Sequence, residues 1–249
     1  MSMPQENPTP KMTIPRVSSG IPGFDDLVEG GLVKNSVVLV QGDTGTTKTL
    51  FSLQYLYNGC MVYNEPGVFI SFTESVNALK QHAKMFSWDL DHLIDAGSLA
   101  IIEYSPHEVV NIIAEGGGTI RDTIESTGAK RLVIDSLTAY SLVFESRYKA
   151  NESILDLFDL LRKWDTTSLV TAEVSVNYKH PLEGMLGFLT DGIVNLYHTR
   201  TSTSPLREIE IVKMRDTAHN EKIHVFNLSK RGLFVLPRID DVEKSPIER

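Results

Sequence analysis

The sequence predicts an α/β fold: a mainly parallel sheet covered by helices on both faces and finished by antiparallel strands. Three observations lead there. Short apolar, β-branched runs alternate with helical segments through the first part of the chain, as buried parallel strands do when both sheet faces are covered. After Gly192 the helices stop and three strand-like runs follow one another directly. The chain has 249 residues, 41% hydrophobic and 22% charged, which is enough for one sizeable core without staples.

The elements follow in order. Residues 1–16 carry Pro4, Pro8, Pro10 and Pro15 without apolar periodicity and read as a flexible tail. Residues 36–41 (SVVLVQ) form a buried strand, 42–46 a turn, and 50–57 a helix. Residues 67–72 (GVFISF) are the second strand, and Ser75 caps a helix running to about Phe86. Residues 99–103 make a third strand, and 108–126 a helix broken at Gly116, Gly117 and Gly118. Residues 131–135 (RLVID) are the fourth strand, 152–164 an amphipathic helix, and 168–172 the fifth strand. The runs GIVNLYHT, REIEIVKM and KIHVFNLS supply the antiparallel end of the sheet, and 237–249 is a second tail. With no internal repeat or interdomain linker, residues 17–236 are read as one domain.

Composition narrows the function classes. The lone Cys60 rules out an internal disulfide and any multi-cysteine zinc site. Apolar runs are strand-sized and too short for a bilayer, and the first residues lack a signal-peptide pattern, so a cytoplasmic protein off the membrane is expected. There are 24 Lys+Arg against 32 Asp+Glu, a net charge of −8, which disfavours broad non-specific contact with phosphate backbones.

The sharpest local signal lies between the first strand and the first helix, at Gly42-Asp43-Thr44-Gly45-Thr46-Thr47-Lys48-Thr49. A phosphate-binding loop needs small residues whose N–H groups converge on phosphate oxygens, a lysine for the β- and γ-phosphates, and a hydroxyl for magnesium. The helix N-terminus adds favourable partial charge. The usual pattern has glycine where Thr47 stands. If the backbone there is glycine-like, a β-branched residue costs about 1–2 kcal/mol, so binding is expected to be weakened rather than lost. Asp135, ending the fourth strand, suits a magnesium ligand beside Thr49, although strands also end in aspartate simply as a cap.

Further ordered segments carry a resemblance. They are Ser18-Ser19-Gly20-Ile21-Pro22-Gly23-Phe24-Asp25, Glu29-Gly30-Gly31-Leu32, the helix from Leu50 to Gly59, Ser71-Phe72-Thr73-Glu74-Ser75, Thr171-Ala172-Glu173-Val174, Phe188-Leu189-Thr190-Asp191-Gly192 and Lys213-Met214-Arg215-Asp216-Thr217-Ala218-His219. From about Val17 to Leu236 the chain resembles a single-domain, archaeal-type member of the KaiC-like branch of the RecA/RadA ATPases. The resemblance implies a RecA-like P-loop NTPase core. ATP would be held by Gly42, Thr44, Gly45, Thr46, Thr47, Lys48, Thr49 and Leu50, with magnesium on Thr49 and Asp135. It also implies a homo-oligomeric ring, a hexamer being one option, in which Lys213 and Arg215 reach the neighbour's γ-phosphate and His219 sits near that nucleotide. Without the resemblance, Lys213 and Arg215 would read only as charges along an exposed strand face.

Relatives of this kind carry two consecutive glutamates after the second strand, one of which activates the attacking water. Here those positions are Thr73 and Glu74. A threonine cannot act as a carboxylate base, and losing a general base costs on the order of 10²–10⁴-fold in rate. Glu74 is left as the catalytic carboxylate beside Lys48, and ATP binding with slow or absent turnover is expected, serving as a switch for a protein partner. Two other readings stay open. One is a recombinase-like accessory protein whose Tyr178, Lys179 and His180 touch single-stranded DNA, disfavoured by the acidic balance. The other is an ATP-binding scaffold of a motility or signalling assembly.

Overall fold

The computed structural model describes residues 13–174, 186–200 and 204–237. Nine strands form one sheet. In chain order they are β3 (Val37–Gly42), β4 (Gly67–Ser71), β5 (Leu99–Glu103), β6 (Arg131–Asp135), β7 (Thr167–Glu173), β8 (Gly192–Arg200), β9 (Pro205–Met214), β10 (His224–Ser229) and β11 (Gly232–Val235). Their spatial order is β11-β10-β9-β8-β3-β7-β6-β4-β5. Pairing is parallel from β8 through β3, β7, β6 and β4 to β5, and antiparallel from β8 to β11. This is the architecture the alternating and then helix-free pattern predicts.

Strand alternation divides the core in two. Val38, Val40, Phe69 and Val133 face one side, where α1 (Lys48–Tyr63), α2 (Val76–Lys84) and α3 (Leu90–Asp95) cover them. Val37, Leu39, Val68, Ile70 and Ile134 face the other, against α4 (Pro106–Ala114), α5 (Gly118–Thr127), α6 (Leu137–Ser141) and α7 (Arg147–Lys163). Trp88 and Trp164 are buried, and Trp88 stacks on Tyr57 with ring centroids 5.4 Å apart, so both tryptophans pack rather than recognise a base. Among the described residues no helix is long and apolar enough to cross a membrane.

Local chemistry sets the helix ends. Ser75 accepts from the Ala78 N–H, capping α2 as expected, and Ser105 and Glu108 form a capping box on α4. The expected break in the long helix falls at the glycines, with α4 ending at Ala114 and α5 starting at Gly118. Helix α7 starts five residues before the expected Glu152, because its Ser146-capped first turn is polar and shows no apolar period. The one-turn helices α3 and α6 and the closing strand β11 are too short to impose a period of their own.

A small ribbon of β1 (Arg16–Val17) and β2 (Leu32–Val33) precedes the sheet. Arg16, counted by sequence with the flexible tail, belongs to it. Its guanidinium bonds Glu29, the Val28 and Gly31 carbonyls, and Asp216 and Thr217, tying the chain's entry to the segment after β9. The rest of the expected C-terminal tail, beyond residue 237, lies outside the described residues, as do residues 1–12.

Candidate functional site

Ligands of open α/β sheets bind outside the carboxyl ends of the strands. At that edge β3, β7 and β6 lie side by side, and the turn after β3 leads directly into α1. Gly42 ends β3 where a Cβ would stand 2.2 Å from the Leu196 carbonyl oxygen and 2.8 Å from Thr46 Oγ1, so only glycine fits. Gly45 is left-handed, with φ 81°. Thr46 is buried and its hydroxyl donates to the Asp43 carbonyl at 2.8 Å, bracing the turn from inside.

Thr47 is the residue immediately before α1, at φ 73° and ψ 25°. The glycine-like backbone anticipated there is present, and a threonine occupies it. Its hydroxyl bonds the Thr46 carbonyl. Thr47→Gly is expected to relieve about 1–2 kcal/mol of left-handed strain, against about 0.4–1 kcal/mol lost by loosening the unfolded chain. The net gain, up to about 1.6 kcal/mol, should raise the thermal midpoint of the nucleotide-free protein by up to about 6 °C, which differential scanning calorimetry measures.

Lys48 opens α1 and is buried. Its Nζ donates to the Gly42 carbonyl at 2.9 Å and the Asp43 carbonyl at 3.0 Å, so the ammonium folds back over the loop. Burial pulls its pKa below the ordinary lysine value, and the carboxylates of Glu173, Asp135 and Asp43 push it back up. The Thr49 hydroxyl donates to Asp135 Oδ2 at 2.7 Å, and the Thr171 hydroxyl donates to Asp135 Oδ1. The hydroxyl and carboxylate expected to serve magnesium are therefore adjacent. Both are hard oxygen donors, which suits an ion that keeps several waters and takes its other ligands from phosphate. Among the described residues no three His, Cys, Asp or Glu side chains cluster as a protein-only metal cage.

Lys48, Thr49 and Asp135 line a cavity of about 500 Å³ that also includes Thr44, Gly45, Thr47, Leu50 and Glu173. Leu53, Met85, Phe86 and Leu142 give it an apolar wall, and Thr73 and Glu74 close another side. Thr73 is exposed and carries no carboxylate. Glu74 is half-buried, with Oε2 3.1 Å from His82 Nδ1 on α2. His82, Thr171 and Glu173 belong to the site but were not singled out by sequence. Only the fold brings β7 and the end of α2 to the loop.

Lys213, Arg215 and His219 do not line this cavity. Gly192, at the start of β8, is opposite Val38 near the start of β3, and Met214 is opposite Gly192, so Lys213 and Arg215 sit at the other end of the sheet from the loop. Lys213 Nζ donates to the Gly187 and Thr190 carbonyls at 2.8 and 2.6 Å, and Arg215 pairs with Asp191 at 3.0 Å. Burial, and then the neighbouring Arg215, lower the Lys213 pKa. His219 follows in the turn that Arg16 braces. Tyr178, Lys179 and His180, weighed by sequence as nucleic-acid contacts, lie outside the described residues.

The family model "ATPase: KaiC" matches residues 17–240. The circadian clock oscillator protein KaiC of Parathermosynechococcus lividus is 34% identical over 235 residues, 90% of this chain and 43% of that protein. The protein of the same name from Synechococcus elongatus is 31% identical over 245 residues, 95% of this chain and 47% of that protein. The chain thus spans less than half the length of these curated relatives. The crystal structure of a KaiC-like protein from the hyperthermophilic archaeon Pyrococcus horikoshii superimposes with a TM-score of 0.82 at 33% identity, covering 90% of this chain and 100% of that one.

Proposed function

The chain belongs to the KaiC ATPase family, and on that premise we propose that it binds magnesium-ATP at the Gly42–Thr49 loop, turns it over slowly, and presents the nucleotide state to a protein partner from within a homo-oligomeric ring. The observation that carries this reading is the convergence of Lys48, Thr49 and Asp135 on one cavity that has Thr73 where a second carboxylate is expected.

The residues divide the work by chemistry. The loop N–H groups and the Lys48 ammonium offer donors to phosphate oxygens, and Thr44, Gly45, Thr46 and Thr47 keep the loop narrow enough for that approach. Thr49 and Asp135 would hold magnesium, which when bound neutralises phosphate charge. Leu50 and Leu53 on α1 and Met85 and Phe86 after α2 offer an apolar wall for a flat base. Glu74 is the carboxylate left to orient or deprotonate a water; its Oε2 lies 3.1 Å from His82 Nδ1 but accepts no hydrogen bond among the described residues. The Thr73 hydroxyl has no basicity to contribute, which is the physical reason for slow turnover.

Lys213 and Arg215 stand too far along the sheet to serve their own cavity. A neighbouring copy in a ring is the means by which such cations would meet a loop, and cations aimed at developing phosphate charge are a large term in phosphoryl transfer. In a single copy they bond the Gly187 and Thr190 carbonyls and Asp191 instead of a nucleotide.

The test is nucleotide binding and phosphate release on one sample over a range of protein concentrations, beside Thr73→Glu. Binding with little release, and release that rises at least about tenfold when the carboxylate is restored, is the expected pattern. Release per protomer should also grow with concentration if sites are completed by neighbours. Absence of nucleotide binding in the unaltered protein would sink the proposal.

A further inference from the structure

Gln41 and Asn195 are an anomaly in a sheet interior. Buried parallel strands hold apolar side chains, and the two pairs before them in the β3–β8 ladder, Leu39 with Ile193 and Val40 with Val194, keep to that rule. The last pair of the ladder is Gln41 with Asn195, and both side chains are buried. Burying amides is unfavourable unless they find hydrogen-bond partners. Here Gln41 Nε2 donates to Asn195 Oδ1 at 2.8 Å, and Asn195 Nδ2 donates to the Tyr197 hydroxyl oxygen at 2.9 Å. The Tyr197 hydroxyl in turn donates to Glu210 Oε2 on β9, opposite Asn195. Four polar side chains thus form one row across β3, β8 and β9.

The row has a fixed sense. An ionised carboxylate only accepts, so Glu210 makes Tyr197 the donor. The Tyr197 oxygen is left to accept from the Asn195 amide nitrogen, and Asn195 Oδ1 to accept from Gln41. Burial, and then the bond to Glu210, push the Tyr197 phenol up to about 12, so it keeps the proton this order requires. At the inner end Gln41 Oε1 is buried without a donor among the described residues. That leaves the Asn195 bond as the one hydrogen bond of the Gln41 side chain among the described residues.

The row ends beside the phosphate loop. Gln41 immediately precedes Gly42, whose carbonyl receives both Lys48 Nζ and the Val174 N–H. Leu196 lies between Asn195 and Tyr197, and its carbonyl oxygen packs so close to Gly42 that a Cβ there would stand 2.2 Å away. The β3–β8 ladder stops one residue earlier. Past that point the side-chain row ties β8 to the strand end that carries the loop. None of its four members lines the cavity.

We propose that Asn195 and Tyr197 are positioning residues of the nucleotide site: oriented by the Glu210 carboxylate, they hold β8 against Gln41 and Gly42 at the spacing in which the loop and Lys48 receive phosphate. The inference rests on the nucleotide-binding reading above. It makes Glu210, on a strand that carries no loop residue, a determinant of nucleotide affinity. An amide at position 210 donates as readily as it accepts, so the sense of the row is lost. Removing the tyrosine hydroxyl cuts the row outright.

The experiment is calorimetric titration of the full chain with a magnesium-bound non-hydrolysable ATP analogue, in the unaltered protein, Glu210→Gln, Tyr197→Phe and the double variant. Each single change should weaken the analogue by at least about threefold. The double should be no weaker than Tyr197→Phe alone, because a cut row no longer reports on Glu210. Glu208→Gln is the control. That carboxylate, two residues away on the same face, accepts from Thr199 at 2.9 Å outside the row, and its loss should change affinity by less than about twofold. A purely structural role would lower the melting midpoint of the variants and leave affinity alone. Unchanged affinity in folded single variants, losses that add in the double, or an equal loss in Glu208→Gln overturns the inference while leaving nucleotide binding intact. Failure of the unaltered protein to bind the analogue overturns the nucleotide reading, and this inference falls with it. Should Tyr197→Phe or Glu210→Gln fail to fold, Gln41→Met, an apolar chain of like length at the inner end of the row, carries the same prediction.

Discussion

Lys48→Ala weakens magnesium-ATP binding by about 10²–10⁴-fold, taking two charge-assisted bonds to phosphate at about 1.5–3 kcal/mol each. The geometry gives this number its basis. The ammonium is buried and already held over the loop by the Gly42 and Asp43 carbonyls, so little ordering is needed when phosphate replaces them. Burial, which lowers its pKa, also strengthens its pull on an anion that enters the same cavity. The substitution leaves those two carbonyls without their lysine partner, and water admitted through the open cavity serves them, so the fold survives. Isothermal titration alongside a thermal melt separates the outcomes. Unchanged affinity in a folded variant would mean that the cavity takes its ligand without the lysine.

Arg131→Ala has the largest expected effect on stability. Arg131 is fully buried at the start of β6. Its guanidinium makes a two-nitrogen contact with Glu65 at 2.6 and 2.8 Å, and donates to the Tyr55 and Ser18 carbonyls at 2.9 and 2.8 Å. It also lies over the Tyr55 and Tyr63 rings, 4.6 and 5.2 Å from their centroids. One side chain therefore ties the N-terminal segment, α1 and the loop before β4 to the sheet. Breaking a buried ion pair from one side costs about 3–5 kcal/mol. Glu65 keeps some hydration, so the lower part of that range, about 3–4 kcal/mol, is expected, or about 6–16 °C in the melting midpoint of a chain this size. Arg131→Lys should recover little of it, because an ammonium cannot reproduce the planar fork. Nucleotide affinity measured below the melt should hardly move, since Arg131 and Asp135 occupy opposite ends of the same strand.

That strand, Arg131-Leu132-Val133-Ile134-Asp135, marks the limit of what could be read in advance. Its apolar middle announces a buried strand, and Asp135 gains meaning from Lys48 and Thr49 upstream. Nothing local assigns Arg131, whose partners lie 66, 76 and 113 residues away in sequence. Glu173 is the same kind of case. It stood in a recognised segment, but its bearing on the loop depends on β7 being inserted between β3 and β6, a pairing order that periodicity does not encode.

The sequence by itself determined the strand and helix alternation, the antiparallel finish, the phosphate loop and the anomaly at Thr47, because each rests on residues within a few positions of one another. A glycine-like turn between a strand and a helix demands left-handed backbone wherever it occurs, and Thr47 has it at φ 73°. Tertiary structure alone decided that Glu173 and His82 join Lys48 at the cavity, that Thr171 holds Asp135 from behind, that Lys213 and Arg215 stand at the far end of the sheet, and that Arg131 is an anchor. Those facts depend on strand order and register, which long-range burial and hydrogen bonding select across the whole chain.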